Sequence, residues 1–105
     1  MSTDVTMVRI YLTEAEKLLN MIMGYLHDEI RIKGVTVFRA ISGFGESGAM
    51  HSSQLLTMSL DLPLVIEFFD DPKTVEKALT HLQTLVDPAH VVYWQAKMSG
   101  ASKPC

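Results

Sequence analysis

Two amphipathic helical stripes, each set between a pair of strand-like runs, leave few ways to fold a chain of 105 residues. Met7 to Leu12 alternates, with Val8, Ile10 and Leu12 on one side and Met7, Arg9 and Tyr11 on the other, as a half-buried strand does. Thr13 with Glu16 forms a capping box, so a helix is expected to start at Glu14. Ala15, Leu18, Leu19, Ile22, Met23, Leu26 and Ile30 then recur at helical spacing, and Gly34 supplies the stop. Val35 to Ser42 reads as the second strand. Leu62 to Phe69 reads as the third, with Pro63 near its start, where a missing N–H does least harm. Asp71 and Pro72 open a second helix as cap and first position; Val75, Ala78, Leu79, Leu82 and Val86 are its stripe, and Asp87-Pro88 ends it. Val91 to Lys97 is the last strand.

Strand, helix, strand, strand, helix, strand, joined by right-handed crossovers, gives the split β-α-β arrangement. The fold class is therefore α+β: a ferredoxin-like sandwich, with an antiparallel four-stranded sheet and both helices on one face. A single domain is expected over residues 7–98, with a loosely held N-terminus at 1–6 and a polar tail at 99–105. If the purely apolar side of each strand meets the helices, the open face carries Met7, Arg9, Tyr11, Val37, Arg39, Val65, Glu67, Phe69, Val91, Tyr93, Gln95 and Lys97. The third strand then lies between the first and second, and Glu67 can pair with Arg9 or Arg39. Such a mixture of aromatic, aliphatic and paired charge is expected at an oligomer surface.

The stretch from Gly34 to Ser53 is the second constraint, a strand that runs into a glycine-rich loop. Gly43, Gly45 and Gly48 let backbone N–H groups approach a bound anion without a Cβ in the way. His51, Ser52 and Ser53 add hydrogen-bonding side chains, and Arg39 or Arg9 can supply charge. Phe44, between two glycines, either anchors the loop in a pocket or stacks on a ligand, and the anchor is the favoured expectation. Residues 43–61 show no strong helix or strand pattern, a length that in a compact domain marks function or order supplied by a partner. Leu55, Leu56, Met58 and Leu60 suit packing on the body or on another subunit better than solvent.

Several function classes are disfavoured. A net charge of −3 gives no broad footprint for nucleic acid. The apolar runs are too short to span a bilayer and no secretory leader is recognisable, so a cytoplasmic protein is expected. Cys105 is the sole cysteine, and His27, His51, His81 and His90 are scattered, so neither a disulfide framework nor a dedicated metal site is expected. No nucleophile elbow, catalytic triad pattern or P-loop occurs, and the expectation is a protein without catalytic chemistry.

Gly34-Val35-Thr36-Val37 followed by Gly43-Phe44-Gly45 resembles the PII signal-transduction proteins at the strand that enters their T-loop. Arg9-Ile10-Tyr11-Leu12, Lys33 to Val37, Gly43 to Gly45, His51 and Ser59 to Glu67 are together similar to the PII-like family of domain of unknown function 190, from Val8 to about Lys97. The resemblance implies a homotrimer whose sheets face the threefold axis, with small-molecule effector sites in the clefts between subunits. An adenine nucleotide such as AMP or ADP is the effector it suggests, acting as a signal rather than a cofactor. It also implies a T-loop-like segment at 43–61 that addresses a transporter or enzyme, and ligand-binding residues Arg39, Gly43, Phe44, Gly45, His51 and Ser52. Val86 to His90, where PII proteins carry a glycine- and lysine-containing phosphate loop, has neither residue, and the tail offers only Lys103. A monophosphate or another small anion therefore suits the chain better than a triphosphate. Two other readings stay open: a small ferredoxin-like enzyme acting on an acyl or phosphoryl substrate through His51 and Arg39, and a ligand-free adaptor trimer.

Overall fold

A computed structural model describes residues 2–13, 17–44, 51–52 and 62–100. Strand β1 (Thr3–Thr13) is followed by helix α1 (Leu19–Gly24), which continues as one π-helical stretch (Tyr25–Glu29). Then come β2 (Val35–Arg39), β3 (Ser42–Gly43), β4 (His51–Ser52), β5 (Pro63–Asp70), α2 (Pro72–Leu82), a 3-10 turn (Pro88–His90) and β6 (Val91–Met98). The main sheet has four antiparallel strands in the order β2-β5-β1-β6, and β3 and β4 pair as a separate ribbon. This is the ferredoxin-like arrangement, with the third long strand between the first and second as expected.

The core lies between the sheet and the helices. Val8, Ile10, Ile66, Ile22, Leu26, Ala78 and Leu82 are fully buried there, joined by Leu64, Phe68 and Val75. α2 begins where the sequence places it: the Asp71 carboxylate accepts from the amides of Lys73 and Thr74, both at 3.1 Å, and from the Thr74 hydroxyl at 2.6 Å. These bonds hold the Asp71 carboxyl below its usual range, the Thr74 hydroxyl foremost. Asp70, buried at the end of β5, accepts from the Asp71 amide at 2.7 Å and the Lys33 amide at 3.3 Å, tying the entry to β2 onto β5.

The ends of α1 differ from expectation. Helix α1 begins at Leu19 without a side-chain cap, and Lys17 just ahead has a left-handed φ of 57°; the start expected at Glu14 lies outside the described residues. At its other end the widened turn closes through Ile30 N–H to Tyr25 O at 3.0 Å and Ile32 N–H to Leu26 O at 2.9 Å. Arg31, with φ 58°, takes the left-handed exit expected of Gly34. The π stretch brings the Tyr25 ring to 4.1 Å from the His81 ring of α2, and burial raises the Tyr25 pKa, with the Glu29 charge adding to it.

β1 also starts earlier than the alternation suggests. Thr3 to Thr6, expected to be loosely held, pair with Met98 to Gln95.

Register corrects two of the four expected strand faces, because directly opposed residues share a face. β1 and β5 are as read: Val8, Ile10, Leu12, Leu64, Ile66 and Phe68 meet the helices. In β2, Val35 lies opposite Phe68, Val37 opposite Ile66 and Arg39 opposite Leu64, so all three are on the helix side. Thr36 and Phe38 take the open face instead. In β6, Val91 and Tyr93 oppose Ile10 and Val8, while Val92 and Trp94 oppose Arg9 and Met7 on the open face. Both edge strands carry apolar residues at odd and even positions, so alternation alone gave them no phase.

Candidate functional site

Two features at one end of the sheet define the site. The first is the β3–β4 ribbon, in which Ser42 pairs with Ser52 and Gly43 with His51. It rises from the end of β2, where the Ala40 amide donates to the Pro63 carbonyl at 2.8 Å. Glycine suits position 43 by close approach: a Cβ there would lie 3.1 Å from Pro63 Cγ, tight enough that the proline ring would have to give by a few tenths of an ångström. Pro63 at the head of β5 therefore buttresses the ribbon, a role its sequence position did not announce. The second feature is the 3-10 turn entering β6. Asp87 caps it by accepting the Ala89 amide at 2.9 Å, and the His90 amide bonds the Asp87 carbonyl at 2.9 Å. The Ala89 amide is thus already bonded to a carboxylate, which makes the turn a poor neighbour for an anion.

The pairing of Thr13 with Pro63 and of Ile10 with Val91 puts ribbon and turn at the same end of the sheet. They belong to opposite edges of it, β2 and β6. A pocket that uses both is incomplete within one protomer.

The candidate residues divide accordingly. Gly43, His51 and Ser52 are brought side by side by the ribbon pairing. Arg39 is the last residue of β2, close in sequence but opposite Leu64 on the helix side of the sheet, and of the two arginines weighed for Glu67 it is Arg9 whose pairing is seen. Phe44 is 70% exposed in the protomer, and its neighbour Ile41 80%, which overturns the expectation of an intramolecular anchor. Gly45 lies outside the described residues, as do Gly48, Leu55, Leu56, Met58 and Leu60.

The open face holds one charged pair among apolar side chains. Arg9 Nε donates to Glu67 Oε2 at 2.6 Å, and its guanidinium lies 5.7 Å from the Trp94 ring centroid. The Glu67 hydrogen bond, then that of Tyr11, pushes the Arg9 pKa above its usual value. Around this pair Tyr11, Phe38, Phe69, Val92 and Trp94 remain between 39% and 48% exposed. Phe38, Val92 and Trp94 were missed by reading the sequence; strand register is the signal that finds them. A cleft of about 370 Å³ lies at the other end of this face, lined by Lys33, Thr36, Glu67, Phe69 and Met98 among others. None of the sequence-chosen ligand residues lines it. Among the described residues no group of three or more His, Cys, Asp or Glu side chains could hold a metal ion, and no helix is long and apolar enough to cross a membrane.

The sequence profile of DUF190, described as an uncharacterized ACR, matches residues 5–98. The chain belongs to the DUF190 family. A UPF0166 protein of Aquifex aeolicus (strain VF5) is 35% identical over 77 residues, covering 73% of this chain and 75% of that protein. The first UPF0166 match from the same organism is 31% identical over 52 residues, so there the DUF190 chain spans half the length of its relative. Among solved structures it is similar to CPII, a nitrogen regulatory PII-like protein from Thiomonas intermedia K12, bound to ADP, AMP and bicarbonate. The TM-score is 0.74 at 22% identity, over 95% of this chain and 92% of that one. It is also similar to the divalent ion tolerance protein CutA1 from Ehrlichia chaffeensis, with TM-score 0.60 at 12% identity, over 93% and 84% of the two chains. These likenesses establish the PII-like, ferredoxin-like fold, and at such identities they establish the fold alone.

Proposed function

We propose that this DUF190 protein is a non-enzymatic PII-like regulator. It assembles as a homotrimer with the open sheet faces inward, binds an adenine nucleotide such as AMP or ADP in the clefts between subunits, and signals to a transporter or enzyme through residues 43–61. One observation carries the reading: the β3–β4 ribbon and the Pro88–His90 turn stand at one end of the sheet but on its opposite edges, so a pocket bounded by both forms only where two protomers meet. The exposed ring of Tyr11, Phe38, Phe69, Val92 and Trp94 around the Arg9–Glu67 pair supports a covered open face. CPII bound to ADP, AMP and bicarbonate supports the ligand class.

Arg39, Gly43, Phe44, Gly45, His51 and Ser52 are the ligand-binding residues in this reading. Glycine at 43 keeps the ribbon seated on Pro63, and exposed Phe44 meets a neighbouring subunit or the ligand rather than its own core. The Asp87-capped turn disfavours a triphosphate held in the PII manner, so the nucleotide is one with fewer phosphates. A ligand that orders 43–61 in only one state shifts that segment's population and so acts as a switch.

The test is a thermal-shift panel of AMP, ADP, ATP, cyclic nucleotides, bicarbonate and 2-oxoglutarate, run with light scattering for mass. A shift with AMP or ADP that His51→Ala removes, on a particle of three subunits, is the expected result. A monomer, or a trimer that no nucleotide stabilises, refutes the reading; the latter favours an adaptor.

A further inference from the structure

At the end of the sheet away from the ribbon, a cleft of about 310 Å³ opens between α2 and edge strand β6, lined by Thr6, Pro72, Val75, Glu76, Leu79 and Tyr93. Thr6 and Tyr93 project to the helix side, opposite Asp70 and Val8 respectively. Thr6 is only 8% exposed, and among the described residues its hydroxyl has no hydrogen-bond partner in the chain. Buried polar groups are hydrogen-bonded, so the cleft that Thr6 lines is where its hydroxyl meets a partner, water or ligand. Val75 and Leu79 are buried and Tyr93, half-exposed, belongs to the same lining, so most of the wall is apolar.

The polar groups select the ligand's charge. Glu76 is exposed at the rim, and among the described residues its carboxylate has no ion pair. The amides of Lys73 and Thr74 in the first turn of α2 are taken by Asp71, and Pro72 has none to offer. An anion therefore meets the Glu76 carboxylate at the rim, whereas a cation finds that carboxylate and an aromatic face.

We infer that this cleft is a second binding site, for a small hydroxyl-bearing aromatic amine. Its hydroxyl pairs with Thr6, its ring lies against Val75, Leu79 and Tyr93, and its ammonium sits beside Glu76. The site shares no residue with the ribbon, so it stands whether or not a nucleotide binds there.

Calorimetric titration with tyramine, phenethylamine and 3-(4-hydroxyphenyl)propionate tests each part. Tyramine binds saturably, phenethylamine about tenfold more weakly for lack of the hydroxyl, and the propionate does not bind. Thr6→Val, which keeps the shape of the side chain, abolishes the preference for tyramine over phenethylamine. Glu76→Gln, at an exposed position that leaves the fold intact, weakens both amines. No saturable tyramine binding, equal or tighter binding of the carboxylate, or affinities unchanged in Glu76→Gln would overturn the assignment.

Discussion

Phe38→Ser separates assembly from folding. Phe38 lies opposite Val65 on the open face of edge strand β2 and is 48% exposed in the protomer. Taking roughly 200 Å² for a fully exposed phenylalanine, about 100 Å² of it awaits cover. At about 25 cal/mol per Å², covering that area contributes about 2.5 kcal/mol per protomer, or about 7 kcal/mol over a trimer. That energy is equivalent to about a 10⁵-fold change in the trimer's dissociation constant. Light scattering over a dilution series should show Phe38→Ser dissociating at concentrations where the parent stays trimeric, while the melting transition of the separated protomer stays cooperative. Val37→Ser is the control. Val37 faces the helices opposite Ile66, so its loss should lower the melting temperature by the equivalent of about 1 kcal/mol and leave the mass unchanged. Dissociation by Val37→Ser with Phe38→Ser inert would refute the register-based assignment of faces and the buried open face built on it.

Three further outcomes follow from the same geometry. Gly43→Ala forces a Cβ against the stiff Pro63 ring at 3.1 Å, so it should cost about 1 kcal/mol in a melting experiment and weaken nucleotide binding together with it. Pro63→Ala should relieve part of that loss in the double variant, and no rescue would argue that the two do not touch. Glu67→Ala leaves Arg9 without its 2.6 Å partner on the open face, so it should shift mass towards monomer while changing protomer stability little, since both groups are partly solvated there. Asp71→Ala should lower the melting temperature by removing the α2 cap. Because the folded carboxyl titrates below the ordinary range of an aspartate, the difference from the parent should be full above that range and vanish as pH falls through the lower folded value. A difference that persisted below it would show that the cap acts without its charge.

The fold was legible because β1, β5 and α2 are each locally decisive. Val8, Ile10 and Leu12 alternate cleanly against Arg9 and Tyr11, and Asp71-Pro72 is an unambiguous helix start. Thr13 ends β1 and α1 begins at Leu19, and the exit fell to Arg31 because the π turn shifts where the chain must reverse. The open face was half legible. Its central strands have one polar side, which fixes their phase, whereas Val-Thr-Val-Phe in β2 and Val-Val-Tyr-Trp in β6 are apolar on both, and only pairing with β5 and β1 decides.

Of the residues the sequence singled out, Gly43, His51 and Ser52 fall on the β3–β4 ribbon, where the glycine-rich composition suits the tight pairing; ligand binding by them is the proposal that the nucleotide panel tests. Pro63 was not singled out, because its role is a contact with a residue twenty positions earlier, nor was the cap that Asp87 puts on the turn before β6.

The central claim, a nucleotide site shared between subunits, is tested most directly by titrating AMP calorimetrically into the parent protein and into dissociated Phe38→Ser. The account predicts one AMP per protomer on the parent trimer and no binding to the separated, folded subunit. Equal AMP affinity in both, or none in either, would contradict it.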